Sequence, residues 1–242
     1  MNEFQMTPAS AFTSTGALTA ERTTSFLRKV YGWMAIGMGV SAATALAIAA
    51  SPNALQTIAT SRPLFWGLWI APFAVAMYLQ VRIEKIQPAT ASLLFVVYSA
   101  LIGAWLSPIL LIYTGVSIAT TFLVSGGAFA AMAIFGTVTR RSLAGFGHFI
   151  WMGFIGLFFA MLVSVFWKAA AQSAGLQFAI TVIGVIVFTG MAAWKAQQMK
   201  QLAAVIPEEK YGSYSVVGAL QLYITFINLF LIALRIFGGR RN

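Results

Sequence analysis

VVGALQLYITFINLFLIALRIF, Val216–Phe237, crosses a bilayer on length alone. At ~1.5 Å of rise per residue, about 20 apolar residues span a ~30 Å hydrocarbon layer. The stretch is not uniformly apolar. At ~100° per residue, Gln221, Thr225, Asn228 and Arg235 fall within a sector of about 80°, and the rest of the surface is Leu, Ile, Phe, Val and Ala. Amides and a guanidinium are costly in lipid, so this stripe is expected to face other helices or a wet cavity. Interhelical hydrogen bonding and a functional cavity both account for it.

Six more runs of the same kind precede it, at about Val30–Ala50, Leu64–Gln80, Ala89–Tyr113, Val116–Val138, Phe146–Trp167 and Leu176–Trp194. Together they predict an all-α, seven-transmembrane-helix bundle. Composition agrees, since 60% of the 242 residues are hydrophobic and only 8% are charged, too few to cover a soluble domain. Residues 1–25 read as a polar, mobile tail, and 26–242 as one membrane domain. Pro72 and Pro108 lie inside the second and third runs, as kinks or as openers of a cavity. Glycines such as Gly32, Gly37, Gly39, Gly126, Gly127, Gly153, Gly156, Gly184 and Gly190 are read as helix-contact positions.

No Asp or Glu lies in any run, and the chain has no Asp at all; its acids are Glu3, Glu21, Glu84, Glu208 and Glu209. The net charge of +10 does not point to nucleic acid, because the basic residues sit in short loops between apolar runs. With the N-terminus cytoplasmic, the inner side holds Arg22, Arg28, Lys29, Arg82, Lys85, Arg140, Arg141, Lys195, Lys200 and Lys210. The outer loops hold Arg62 and Lys168. That is the positive-inside bias. Arg235, Arg240 and Arg241 oppose it, so the seventh run either breaks the rule by spanning, the favoured reading, or re-enters.

The chain lacks Cys, which excludes disulfides and thiolate chemistry. His148 is the only histidine, with no second ligand near it in sequence, so no metal site is expected and an interfacial position is the favoured reading. No phosphate-binding loop, HExxH or G-x-S-x-G elbow is present, and neither an enzyme nor a cofactor is expected.

Five segments in order resemble the Bax inhibitor-1 family, and a bacterial-type member in particular. They are FLRKVYGWM (Phe26–Met34), LIGAWLSPILLIYTG (Leu101–Gly115), TVTRRSLAGFGHFIWMGFIGLFFAMLVSVF (Thr137–Phe166), VFTGMAAWKAQQMK (Val187–Lys200) and ALQLYITFINLFLIALRIFGGRR (Ala219–Arg241). The resemblance implies a bundle with helix seven near its centre, in a bacterial inner membrane. It also implies a cation leak, chiefly of calcium, gated by two aspartates. For some bacterial members it implies binding to the membrane-anchored AAA protease. Here the two aspartate positions hold Lys195 and Thr225, the aspartate of the basic turn is Ser142, and a late helix-five asparagine is Ser164. Two close carboxylates share a proton; Lys and Thr cannot. Arg82 matches a family arginine that contacts the acidic pair, or else anchors a loop. Lys195 is either an inner-end lysine reaching for headgroups or a fixed cation at the pore mouth. Lys195, Thr225, Asn228, Gln221, Arg82 and Arg235 are therefore the pore and gate candidates. Two functions stay open: a diverged cation (calcium) leak channel lacking the acidic pair, and a non-conducting regulator that binds membrane proteins.

Overall fold

A computed structural model describes residues 8–167, 171–239 and 241. Lys168, Arg240 and Glu3 lie outside the described residues. Every regular element within them is helical: α1 (Pro8–Ala49), α2 (Pro52–Thr60), α3 (Arg62–Val81), α4 (Pro88–Leu106), α5 (Ile109–Ile112), α6 (Gly115–Val138), α7 (Ala144–Phe166), α8 (Ala174–Val205) and α9 (Tyr211–Phe237), with a 3₁₀ turn at Glu208–Lys210. Seven segments among them are long and apolar enough to cross a membrane.

Several boundaries differ from the sequence reading for identifiable reasons. The first helix was expected from Val30, but α1 starts at Pro8. Proline is accepted in a first turn, and no second proline follows to stop the helix. A short helix, α2, was missed; Ser51 caps it through Ala54 N, and Pro52 opens it. The third run divides at Pro108, which has no N–H to give the Ala104 carbonyl. Ser107 Oγ donates to that carbonyl instead, at 2.8 Å. The largest correction concerns α8. The sixth apolar run ends at Trp194, which predicts a polar loop from Lys195 onward, yet α8 continues to Val205. Ala196, Met199 and Ala203 are buried there, so this polar-looking stretch keeps an apolar face.

The helix α9 is buried along its length: 72% of its apolar window lies inside the protein, against 17–44% for the other spans. It packs against α1, α4, α6 and α8, and more lightly against α3. The helix is continuous through 27 residues and does not turn back. Beyond it, Thr114 N donates to Gly239 O at 3.1 Å and Arg241 N to Ile112 O at 2.9 Å. The C-terminal segment is thus tied to the α5–α6 connection, at the end of the bundle opposite to the α8–α9 turn.

Candidate functional site

Residues from α3, α4, α7, α8 and α9 line a cleft of about 570 Å³ that is open to the outside, where Trp69, Phe73 and Trp151 are exposed. Its wall is largely aromatic and aliphatic, with Trp69, Phe73, Trp105, Trp151 and Phe154 among the lining residues. Its polar part is Gln80, Tyr98, Lys195, Gln221, Thr225 and Asn228. Pro72 and Leu68 also line it; proline at 72 has no N–H for the Leu68 carbonyl, so α3 is locally loosened where it borders the cavity.

Four of the six candidates therefore converge. Their spacing on α9 explains three of them: Gln221, Thr225 and Asn228 stand one above another at helical intervals. The hydrogen bonds are mostly local. Thr225 Oγ1 donates to the Gln221 carbonyl at 2.9 Å, and Asn228 Nδ2 to the Ile224 carbonyl at 2.8 Å. Lys195 comes from the neighbouring helix, and its Nζ donates to the same Gln221 carbonyl at 3.4 Å. One backbone oxygen on α9 thus receives both Lys195 and Thr225.

Lys195 does not end a helix. Ten residues of α8 follow it, about 15 Å of rise at ~1.5 Å each. The ring of the preceding Trp194 packs against Gly147 in the first turn of α7. Arg82 and Arg235 are not brought to the cavity. Arg82 caps α3 through its backbone, with an exposed side chain. Arg235 lies at the far end of α9, where its Nη1 donates to Gln177 Oε1 at 3.4 Å, and Gln177 Nε2 donates to Ser164 Oγ at 3.4 Å. His148 is exposed, with Nδ1 3.1 Å from the Ala144 carbonyl. No group of three or more metal-ligating side chains occurs among the described residues.

Among the described residues no acid lines the cavity, and Glu21, Glu84, Glu208 and Glu209 are all exposed. The single ion pair among the described residues, Arg22–Glu208 at 2.7 Å, is on the surface.

Three features escaped the sequence reading. Gln80 and Tyr98 join the cavity from α3 and α4. Gln197 is buried and ties down the basic turn: its Nε2 donates to Arg141 O at 2.9 Å and its Oε1 accepts from Leu143 N at 2.7 Å. Tyr223, fully buried, lies 2.6 Å from Ser41 Oγ. The serine has a single proton, and the Ser99 carbonyl at 2.7 Å and the Gly37 carbonyl at 3.0 Å both compete for it, which leaves its oxygen to accept from the Tyr223 hydroxyl. A lone Gln or Tyr inside an apolar run carries no sequence signal for these partners, which lie 54 to 182 positions away.

The model of the family of inhibitors of apoptosis-promoting Bax1 matches residues 23–242. The chain belongs to the Bax inhibitor-1 family. Among similar proteins, the inner membrane protein YbhL of Escherichia coli K12 is 42% identical over 220 residues, which cover 90% of this chain and 92% of YbhL. An uncharacterized protein of Borreliella burgdorferi is 36% identical over 90% of this chain and 93% of its own length. An uncharacterized membrane protein of Streptococcus pyogenes is 32% identical over 88% and 92%. In this Bax inhibitor-1 member, α9 furnishes the cavity with Gln221, Thr225 and Asn228.

Proposed function

We propose that this Bax inhibitor-1 member is a multi-pass protein of a bacterial inner membrane, with its N-terminus cytoplasmic, in which the family's cation pathway persists as a cavity but is barred to calcium. The observation that carries this reading is the pairing at Gln221: an ammonium and a hydroxyl meet one carbonyl, at positions where the resemblance implies two aspartates, and among the described residues no carboxylate lines the space. An ammonium ~5 Å from a divalent ion costs it ~7 kcal/mol at an effective dielectric of ~20. That is on the order of five decades in occupancy. Neither Lys195 nor Thr225 supplies the shared proton of a carboxylate pair, so acid-triggered opening is absent as well.

In this reading the protein's role is exercised by binding other membrane proteins, the membrane-anchored AAA protease being the partner the family resemblance names. The inner end of α8 supports it. Instead of a loose loop it is a helical platform joined to the basic turn by Gln197, and to the end of α6 by Lys200 Nζ donating to Thr137 O at 2.6 Å. The competing reading, a leak that still conducts calcium or another cation, is supported by the cavity's volume alone.

Calcium flux into liposomes separates the two. The parent protein is expected to match empty liposomes at neutral and acidic pH, whereas Lys195→Asp combined with Thr225→Asp is expected to conduct and to respond to pH. Flux through the parent that rises on acidification overturns the proposal.

A further inference from the structure

Among the described residues Lys195 has no countercharge. It lines the cavity, its one hydrogen bond is a long contact to a backbone carbonyl, and no acid lies among the lining residues. Lys200, five residues on, shows the contrast. Its ammonium sits 2.6 Å from the Thr137 carbonyl near the end of α6, where the helix dipole is negative. Lys195 instead meets the middle of α9, where no such end charge exists. An ammonium held inside a bundle carries a large desolvation cost unless an anion offsets it.

The remaining polar groups of the cavity do not offer that anion. Thr225 Oγ1 and Asn228 Nδ2 each donate to a backbone carbonyl, and so does Gln80 Nε2, to Ala76 O at 3.3 Å. Each amide nitrogen keeps a second proton, and Lys195 keeps two. Among the described residues the Gln221 side-chain amide has no hydrogen-bond partner, and it lines the same space. The cavity thus holds unspent amide donors and acceptors around one positive charge that none of its neutral groups balances, and about 570 Å³ leaves room for a guest and several waters at ~30 Å³ each.

We infer that the cavity between α3, α7 and α9 binds a small singly charged anion, with Lys195 as the charge partner and the Gln221, Gln80 and Asn228 amides as flanking donors. The site lies where the proposed cation barrier lies, but the two ideas rest on different measurements, occupancy here and flux there. A halide, a small oxyanion and the phosphate of a lipid headgroup share the required chemistry.

Iodide serves as both ligand and reporter, because it quenches tryptophan on contact and Trp69, Trp105 and Trp151 line the cavity. Full-length protein in maltoside micelles, free of phosphate, is titrated with iodide at constant ionic strength, with caesium as the cationic quencher. The expected result is a saturable iodide component filled at millimolar concentration and no such component with caesium. Lys195→Arg retains it and Lys195→Gln removes it. Thr225→Asp places an internal carboxylate beside the ammonium, and should also remove it while leaving Lys195 in place; this variant keeps the test valid if Lys195→Gln fails to fold. The same titration in phosphatidylglycerol nanodiscs assigns the natural occupant. Retention of the component means a solution anion, and its loss means that the lipid phosphate fills the site. Linear iodide quenching in the parent, as a lysine that shed its proton would produce, overturns the inference, and so does a saturable component unchanged in both Lys195→Gln and Thr225→Asp.

Discussion

Gly136 of α6 and Ala193 of α8 lie backbone against backbone, so close that a methyl group built on Gly136 overlaps the Ala193 carbonyl. This is how α6 reaches the small-residue face of α8 formed by Ala192, Ala193 and Ala196. The obstacle is main chain, which cannot rotate away as a side chain can. Gly136→Ala is therefore expected to lower stability by ~3 kcal/mol, in the range of core overpacking. Gly126→Ala is the control, since nothing lies within 4 Å of its added carbon. It should be neutral, or stabilising by up to ~1 kcal/mol through helix propensity. Thermal unfolding of both variants in the same detergent checks the contrast.

The meeting of Lys195 and Thr225 at one carbonyl predicts a strong coupling. Thr225→Asp alone should cost little, because the new carboxylate finds the Lys195 ammonium. The same substitution in a Lys195→Met background leaves a buried carboxylate unpaired, and should cost ~3–5 kcal/mol. A double-mutant cycle by denaturant unfolding measures the difference. Additive effects would mean that the two side chains do not meet.

Gln197 holds the basic turn by two hydrogen bonds from a single buried amide. Gln197→Leu keeps the volume but strands the Leu143 N–H and the Arg141 carbonyl. The expected cost is ~1–3 kcal/mol, concentrated at the turn. Because Arg140 and Arg141 are exposed, the local opening is readable as faster trypsin cleavage after these residues, with the helices left intact. A uniform loss of stability without faster cleavage would place the role of Gln197 elsewhere.

A chain without cysteine suits single-cysteine labelling. With the N-terminus cytoplasmic, Ser142→Cys and Glu209→Cys should react only from the cytoplasmic side. Asn53→Cys and Arg241→Cys should react only from the outer side, since the 241 backbone is bonded to Ile112 at the far end of the bundle. Labelling of 241 together with 142 from one side would contradict a spanning α9.

The class of fold was legible because apolar length is a local property. Seven long apolar runs without an acid admit one physical solution, helices that satisfy their own backbone in lipid. The α9 stripe was legible for the same reason, as the spacing of Gln221, Thr225 and Asn228 places them on one side of any helix. The glycines were read less well. Gly37, Gly153, Gly184 and Gly190 do sit against neighbouring side chains. Gly32, Gly39, Gly126, Gly127 and Gly156 face open space, whereas Gly103 and Gly136 meet backbone. A small residue permits close approach without requiring it, and which glycines are used depends on the partner helix.

Lys195 marks the boundary between the two kinds of knowledge. By itself the chain established that a lysine follows the sixth apolar run, that no acid lies in any of the seven, and that α9 carries a polar stripe. Charge and periodicity need no partner to be read. Tertiary packing alone decided that α8 continues for ten residues past Lys195, that its ammonium comes to the Gln221 carbonyl, and that Arg82 and Arg235 stay away. Helix registers and crossing points arise from side chains on two elements fitting together, and no single element contains that information.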